Sequence, residues 1–294
     1  MTTEKLGFIG LGTMGLPMSL NLLKAGNDLA IWGRNPDKLK DAVTAGGELM
    51  ATPEKLGEIC GVIFLCVFDS NAVNEVVFGR DGIAKGASKN LMIVDHSSIH
   101  PEHTREMAKK LTNETGASWV DCPVSGGRYG ARDGTLVMMA GGEKENIERL
   151  RPIVSATSQR LTHMGPVGCG QATKLVNQAV IGAEVAVLAE MFGFANRYGV
   201  KVKEIPDALA GGWADSTVLQ DHARRMIRAD YWETAPGNTV KDLNTVCEMG
   251  RTTGSPMPIA ALTTELYRYL GAQGHASKGQ IGLMHLYIQE ALDK

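Results

Sequence analysis

Short apolar runs alternate with helix-like stretches over the first 165 residues of the chain. Glycine clusters such as Gly46-Gly47 and Gly141-Gly142 separate these runs. Strands that alternate with helices are typical of βαβ units, in which the strands lie parallel in one sheet. We therefore predict strands at Leu6–Ile9, Leu29–Trp32, Val62–Val67, Leu91–Val94 and Leu136–Ala140.

The pattern changes after Gly165-Pro166. From Gly170 to Tyr198 the residues are rich in Ala, Val and Leu and free of proline, which predicts one helix of about 30 residues. Its apolar residues are spread around the helix and predict burial on several sides. The rest of the chain, to Lys294, is mainly helical by pattern. We predict a sheet-containing domain over residues 1–165 and a helical domain over residues 166–294.

The composition of the chain argues against several classes of binding partner. The formal charge of the 294 residues is −2, which predicts no binding to nucleic acid or to an anionic membrane. No apolar stretch approaches the roughly 20 residues that span a bilayer, and the first residues lead straight into a strand, so we expect a cytoplasmic protein. The five cysteines are odd in number and never spaced as C-x-x-C, which indicates neither a disulfide framework nor a zinc site. Pro101 interrupts any helical face shared by His96, His100 and His103, and we predict no metal site.

A glycine-rich turn follows the first predicted strand and opens a helix. Gly10 permits a tight turn, Gly12 lets backbone approach a pyrophosphate, and Gly15 allows the helix to pack closely on the strand. Because strand, turn, helix and second strand follow in order, the motif predicts a dinucleotide site rather than an ordinary glycine-rich turn. The cofactor-binding residues predicted here are Gly10, Leu11, Gly12, Thr13, Met14 and Gly15.

The segment Gly33-Arg34-Asn35 bears on which dinucleotide is bound. An NAD site usually presents an acidic residue to the ribose 2′-hydroxyl about 20 residues beyond the turn, and Gly33 occupies that position. A 2′-phosphate would meet the guanidinium of Arg34 instead of a repelling carboxylate. The alternative is that Arg34 is a solvated turn residue and Asp37 serves the ribose. We favour NADP as the cofactor, with NAD as the alternative.

Two further segments supply groups for chemistry. Ser125 precedes Gly126 and Gly127 at the end of a strand, where a hydroxyl and backbone N–H groups are able to hold a carboxylate. Taken alone, this segment is equally well explained as a connection that needs positive φ angles. Lys174 and Asn177 lie three residues apart and so share one face of the long helix. Partial burial near a helix N-terminus lowers the pKa of a lysine, which then passes a proton near neutral pH.

Taken together, these segments resemble the signatures of the β-hydroxyacid dehydrogenase family. The likeness lies in the strand and turn that end at Gly15, in Asp121–Gly127 with Gly130–Leu136, in Gly168–Asn177 and in Lys241–Leu243. These segments follow the family's order and spacing over nearly the whole chain. The resemblance implies an α/β Rossmann-type doubly wound sheet, followed by an all-α C-terminal domain, with the active site in the cleft between them.

The resemblance also implies roles for single residues. Lys174 matches the family's catalytic lysine, and Asn177 matches the asparagine that orients the substrate. Ser125, Gly126 and Gly127 match the loop that grips the substrate carboxylate. On the cofactor side the resemblance implies contacts at Val67, Phe68, Ser97 and Ser98, and at the cleft-closing pair Lys241 and Asp242.

Within the family, Gly211–Leu219 and Lys174–Gln178 look most like the tartronate semialdehyde reductases. Trp213 and Asp215 depart from those enzymes by an indole and a carboxylate, and we expect both side chains to contact the substrate. The segment His275–Gln280 also lacks the family's usual Asp-x-Ser-Ala pattern. These departures fall where substrate choice is made.

The resemblance thus implies an NAD(P)-dependent oxidoreductase that interconverts a small β-hydroxyacid and its semialdehyde, with Lys174 as the general acid and base. A 3-hydroxyisobutyrate dehydrogenase or a glyoxylate or succinic semialdehyde reductase is the alternative within the family. A catalytically inactive dinucleotide-binding sensor or assembly protein is the alternative outside it. The apolar helix of the C-terminal domain predicts a homodimer or a homotetramer.

Overall fold

The structure, a computed structural model, describes residues 4–231 and 237–288. It divides into two compact units, Met1–Lys174 and Leu175–Lys294, and the boundary falls inside one long helix. The predicted domain limit, after residue 165, lies just before this helix and stays a prediction. Each unit is described separately.

The first unit contains one sheet, which has nine strands within the described residues. The strands are β1 (Leu6–Ile9), β2 (Leu29–Trp32), β3 (Glu48–Leu49), β4 (Val62–Leu65), β5 (Met92–Asp95), β6 (Ser118–Asp121), β7 (Val124–Ser125), β8 (Leu136–Gly141) and β9 (Ser158–Gly165). Their order is β3-β2-β1-β4-β5-β6-β8-β7, and β9 pairs with β8. The first six strands of this order are parallel, whereas β8 runs antiparallel to β6 and β7. The chain therefore crosses over from strand to strand, as the apolar runs predict.

Helices cover both faces of the sheet. Phe8 and Phe64 belong to the apolar core on one face, and their neighbours Ile9 and Leu65 belong to the core on the other. Successive side chains of a strand point to opposite faces, so a strand buried on both sides must be apolar throughout. The helices of this unit are α1 (Gly15–Lys24), α2 (Lys40–Thr44), α3 (Pro53–Ile59), α4 (Ser70–Phe78), α5 (Ile83–Gly86), α6 (Pro101–Thr115), α7 (Gly127–Asp133) and α8 (Lys144–Val154).

The five predicted strands agree with observed strands except at some ends, but four observed strands, β3, β6, β7 and β9, were not predicted. The run that begins at Val62 leaves the sheet after Leu65, because the N–H of Val67 donates to the Ser97 hydroxyl and not to a neighbouring strand. The pattern gives no sign of β9, since Leu161 is the only buried residue of this strand. A polar strand carries no apolar run from which it can be predicted.

Within the residues that the structure describes, the second unit contains helices joined by loops and no strand. Its first helix, α9 (Cys169–Tyr198), has the length that the sequence predicts. The others are α10 (Ile205–Leu209), α11 (Arg224–Ile227), α12 (Asn238–Thr253) and α13 (Pro258–Ala272), with a π-helical turn at Leu219–Ala223 and 3₁₀ turns at Val202–Glu204, Ala276–Lys278 and Gln280–Leu286. Val185 and Phe192 of α9 pack in one core with Leu243 and Leu270. A Rossmann-type sheet followed by an all-α part is thus confirmed.

Two expectations about α9 are wrong for the single chain. By length and composition alone this helix is long and apolar enough to cross a membrane, although the sequence analysis found no such stretch. The reason is that Glu184 and Glu190 divide the apolar residues of the helix into short runs, while the average hydropathy of the helix stays apolar. The helix is also not buried on several sides, because one stripe of it is exposed: Val176, Val180, Val187, Met191, Phe194 and Tyr198.

Candidate active site

The glycine-rich turn between β1 and α1 is held in place by backbone packing. Gly10 has a φ of 96°, and a Cβ there would lie 2.2 Å from the carbonyl oxygen of Cys66. A Cβ at Gly15 would lie 2.0 Å from the carbonyl oxygen of Gly10. Neither contact is sterically possible, so the turn closes as it does only because both residues lack a side chain.

Gly12 serves a different purpose in the same turn. It is exposed, and a Cβ added there would meet no described atom within 4 Å. Met14 precedes the first residue of α1 and makes no side-chain cap with any described residue. The N–H groups of Leu16 and Met18 donate to the carbonyl oxygens of Gly12 and Met14, so the feature that favours an anion here is the positive end of the helix dipole. Open space above glycine backbone, next to a helix N-terminus, fits the pyrophosphate of a dinucleotide.

The segment after β2 carries the residues expected to distinguish NADP from NAD. A Cβ at Gly33 would lie 3.0 Å from the side chain of Leu39, so this position is tightly packed. Arg34 and Asn35 are exposed. The Asn35 carboxamide accepts a hydrogen bond from the N–H of Asp37 at 3.0 Å, and the Asp37 carboxylate lies 2.7 Å from the ammonium of Lys40. Lys40 is thus paired with Asp37, whereas Arg34 directly follows Gly33, the position at which an NAD site usually carries an acidic residue.

The loops after β4 and β5 are joined to each other. The Ser97 hydroxyl accepts from the N–H of Val67 at 3.0 Å, and the N–H of Ser97 donates to the Asp95 carboxylate at 2.9 Å. Burial raises the pKa of Asp95 to about 7. Phe68 is exposed and Ser98 is half-buried. The structure thus brings the predicted cofactor residues Val67 and Ser97 together at the carboxyl ends of two neighbouring strands, where dinucleotides bind in sheets of this type.

The predicted carboxylate-binding loop lies beyond β6. Ser125 ends β7 and is half-buried, whereas Gly126 and Gly127 are exposed. Their φ angles are 126° and 59°, in the region that favours glycine. The loop therefore presents a hydroxyl and glycine backbone at one place, which is an arrangement suited to a carboxylate.

Lys174 lies in the second turn of α9 and is half-buried. The start of this helix is attached to the sheet by two buried residues that the sequence analysis did not select, Asp121 and Gln171. The sequence feature that pointed to a role for Asp121 was its position just before the Ser125 loop, at the end of a strand. The first unit thus contains the glycine turn, the Ser97 loop, the Ser125 loop and Lys174.

The second unit joins Asn177 to the predicted Lys-Asp pair. The Asn177 amide donates to the side-chain oxygen of Gln178 at 3.1 Å, and the Gln178 amide donates to the Asp242 carboxylate at 2.9 Å. The ammonium of Lys241 lies 3.7 Å from the same carboxylate. Gln178 is the link in this series, and sequence reasoning missed its role because it depends on α9 and α12 being neighbours.

Trp213 and Asp215, also in the second unit, differ from each other in their surroundings. The indole of Trp213 is fully exposed. The Asp215 carboxylate accepts from the N–H of Gly211 and from the Gln220 amide, each at 2.7 Å, and these bonds hold its pKa below the usual range. Asp215 therefore stabilises its own loop, and contact of either residue with a substrate stays a prediction.

The three neighbouring histidines serve separate structural contacts. His96 is buried and stacks on Phe64, and burial lowers its pKa to about 4. The His100 ring accepts from the N–H of Glu102 at the start of α6, and His103 bonds with Ser70 at 3.0 Å. Among the described residues, no group of three or more His, Cys, Asp or Glu side chains is arranged to hold a metal ion.

Comparison with known proteins connects these features to one family. Residues 5–165 match the family model for the NAD binding domain of 6-phosphogluconate dehydrogenase. Residues 168–287 match the model described as NAD-binding of NADP-dependent 3-hydroxyisobutyrate dehydrogenase. The chain is 36% identical to the 2-hydroxy-3-oxopropionate reductase of Escherichia coli over 293 residues, which cover 98% of this chain and 97% of that protein.

Solved structures share the fold. The 3-hydroxyisobutyrate dehydrogenase of Mycobacterium tuberculosis, solved with L-serine, superposes with a TM-score of 0.87 at 24% identity, covering 97% of this chain and 99% of the other. A structure described as Psf3 in complex with NADP+ and 2-OPP superposes with a TM-score of 0.84 at 22% identity, covering 96% and 99%. Since two family models together cover nearly the whole chain and a relative exceeds 30% identity, this protein belongs to the β-hydroxyacid dehydrogenase family and is an NAD(P)-dependent oxidoreductase.

Proposed function

We propose that the protein reduces tartronate semialdehyde (2-hydroxy-3-oxopropionate) to glycerate with NADPH. The observation that carries the proposal is the placement of a half-buried Lys174 in the second turn of a helix whose start is attached to the strand that precedes the Ser125 loop. A proton donor and a carboxylate-binding loop then belong to one compact unit. The identity to a 2-hydroxy-3-oxopropionate reductase supports this substrate.

The substrate carboxylate binds the Ser125 hydroxyl and the N–H groups of Gly126 and Gly127 in this proposal. Both glycines have positive φ angles, which are typical of backbone whose N–H groups form an anion-binding concavity, and hydrogen bonds to a charged acceptor are stronger than neutral ones. The aldehyde is thereby oriented toward Lys174. Asn177, one helical turn later on the same face, orients the substrate beside it.

Lys174 acts as the general acid. Its ammonium stabilises the negative charge that develops on the aldehyde oxygen and donates the proton, a contribution of typically ~10²–10⁴-fold in rate. NADPH, when bound, would supply the hydride for the carbonyl carbon. In the reverse direction a neutral lysine takes the alcohol proton, so oxidation is expected to be favoured at higher pH.

NADP is the proposed cofactor. The position at which an NAD site presents a carboxylate is glycine, and a cation follows it in Arg34. Gly33 is tightly packed on Leu39, so the side chain that would repel a 2′-phosphate has no room without a shift. Contacts at Gly10–Gly15, at Val67–Phe68, at Ser97–Ser98 and at Lys241–Asp242 are part of the same proposal.

We further infer a cytoplasmic homodimer or homotetramer. The exposed apolar stripe of α9 supports assembly, because an apolar surface of this length on a single chain is a typical contact between subunits. The free thiols of Cys60, Cys66, Cys122, Cys169 and Cys247 suit a reducing compartment. Light scattering during gel filtration measures the number of chains, and a monomer at micromolar concentration contradicts the inference.

The function is tested by initial rates of reduction with four aldehydes, each with NADPH and with NADH. The aldehydes are tartronate semialdehyde, succinic semialdehyde, glyoxylate and methylmalonate semialdehyde. We expect the highest kcat/KM for tartronate semialdehyde with NADPH, and a loss of ~10²–10⁴-fold in Lys174→Ala with unchanged cofactor affinity. Preference for another aldehyde assigns the alternative substrate, and Lys174→Ala with normal turnover refutes the role of the lysine. No turnover with any aldehyde would favour a dinucleotide-binding sensor or assembly protein.

A further inference from the structure

A buried carboxylate at the end of β6 holds the start of the helix that carries Lys174. Asp121 is fully buried, and its two oxygens accept from the N–H groups of Gly168 and Gln171, each at 2.7 Å. Gly168 directly precedes α9 and Gln171 lies in its first turn, where N–H groups have no partner inside the helix. The positive end of the helix dipole also stabilises a negative charge at this place. Asp121 therefore fixes both the position and the direction of the first turn.

Gln171 provides a second attachment from the helix itself. Its side chain is buried, its oxygen accepts from the N–H of Ile99 at 3.2 Å, and its amide donates to the carbonyl oxygen of Ser97 at 2.6 Å. The loop after β5 is thereby joined to α9. The helix start is thus attached to the ends of two neighbouring strands, β5 and β6, by four hydrogen bonds in total.

Two glycines allow the helix and the sheet to come this close. A Cβ at Gly170 would lie 2.5 Å from the carbonyl oxygens of Asp121 and Met139. A Cβ at Gly141, in β8, would lie 2.6 Å from the Asp121 carboxylate. Backbone packs directly against backbone here, so no flexible side chain can absorb a shift of the helix.

Asp121 lies between the two parts of the proposed site. Along the chain it precedes Ser125 by four residues, and through Gln171 it holds the helix turn that leads to Lys174. Building on the proposed function, we propose that Asp121 and Gln171 are positioning residues, which set the place of the Lys174 ammonium relative to the Ser125 loop. They act on the reaction through Lys174.

The inference is tested by a double-mutant cycle on kcat with Asp121→Asn and Lys174→Ala. Asparagine keeps the size of the side chain but turns an amide donor toward a backbone donor, so one of the two bonds to α9 is lost. We expect Asp121→Asn to lower kcat by ~10²-fold, as small misplacements of a reacting group do. The Kd for NADPH, from fluorescence titration, is expected to change less than about threefold, and rates are expressed per cofactor-binding site.

The cycle separates positioning from a loss of structure. In the Lys174→Ala background, Asp121→Asn is expected to lower kcat less than about threefold further, because the group that it positions is absent. Gln171→Leu is a second variant, expected to show a loss of about tenfold with the same dependence on Lys174. Thr52→Ala is the matched control: the Thr52 hydroxyl accepts from the N–H of Lys55 at the start of α3, and we expect normal kcat without this cap.

The possible outcomes distinguish the two proposals. Equal fold losses in both backgrounds, for Asp121→Asn and for Gln171→Leu, overturn the positioning role. So does normal kcat in both single variants when Lys174→Ala is impaired. Full turnover of Lys174→Ala refutes the lysine as proton donor and with it any positioning role that acts through Lys174, whereas the proposed substrate is refuted separately, by a preference for another aldehyde.

Discussion

The glycine-rich turn at Gly10–Gly15 and the segment at Gly211–Asp215 are both rich in glycine, yet the structure constrains them very differently. In the first, an added Cβ at Gly10 or Gly15 would overlap a backbone carbonyl. In the second, a Cβ at Gly211 meets no described atom within 4 Å, and the indole of Trp213 is fully exposed. The first segment is predicted to bind the cofactor and the second to contact the substrate.

The difference teaches where this fold tolerates change. At Gly10 and Gly15, where the shape of the turn depends on buried backbone contacts, the fold admits almost no substitution, which suits a segment that binds a cofactor. A loop held by a few hydrogen bonds, such as those of Asp215, can change its exposed side chains without disturbing the core. Substrate choice is therefore expected to vary in the second segment, while cofactor binding stays with the first.

Gly15→Ala is the change with the largest expected effect, because it disrupts the tightly packed turn directly. The new Cβ would lie 2.0 Å from the Gly10 carbonyl oxygen, so α1 must move away from β1. We expect the free energy of unfolding to fall by about 3 kcal/mol and NADPH binding to be lost. Urea unfolding and cofactor fluorescence measure the two effects, and near-normal values for both would contradict the packing argument.

Asp95→Asn tests, through the pH dependence of stability, the buried carboxylate at the end of β5. The raised pKa of Asp95, about 7, means that its contribution to stability is complete below the unfolded-state pKa and is lost as pH rises through 7. Between pH 5 and pH 7 the free energy of unfolding of the wild type falls by about 2 kcal/mol because of this group, whereas asparagine does not titrate. The unfolding free energy of the variant relative to wild type should therefore rise by about that amount between pH 5 and pH 8. A pH-independent difference in urea unfolding would show that Asp95 titrates normally.

Gly12→Ala tests the difference, within the turn itself, between a glycine in open space and the packed glycines Gly10 and Gly15. A methyl group at Gly12 enters open space, so the fold should keep its stability to within about 0.5 kcal/mol. The same methyl group occupies the surface that a pyrophosphate approaches, so we expect the Kd for NADPH to rise by about tenfold or more. Isothermal titration with NADPH is the measurement. Unchanged affinity would place the pyrophosphate elsewhere.

Trp213→Ala is expected to have the smallest effect on the fold. A fully exposed side chain contributes little packing, so the free energy of unfolding, measured with urea, should stay unchanged to within about 0.5 kcal/mol. If the indole contacts the substrate, the KM for the aldehyde rises several-fold while the Kd for NADPH stays the same. An unchanged KM would remove Trp213 from the substrate site and leave Asp215 as the remaining candidate there.

Local patterns were sufficient for much of the fold and for the cofactor turn. Leu6–Ile9 and Leu29–Trp32 were predicted with their observed bounds, because strands buried on both faces are apolar at every position. The length of α9 followed from a stretch without proline. The short strands β3 and β7, the strands β6 and β9, and the exposed stripe of α9 were not predicted, since strand pairing and burial depend on what packs against a residue and not on its own polarity.

The sequence by itself determined the family, the alternation of strands and helices in the first unit, and the residue types of the candidate site, since glycine turns and apolar runs act through local geometry. Only the tertiary structure showed that Asp121 and Gln171 hold the start of α9 and that Gln178 links Asn177 to Asp242. Except for the neighbouring pair Asn177 and Gln178, these contacts join residues that are separated by 47 to 74 positions in the sequence. No local pattern encodes such pairs, because they form only when the sheet and the helices pack.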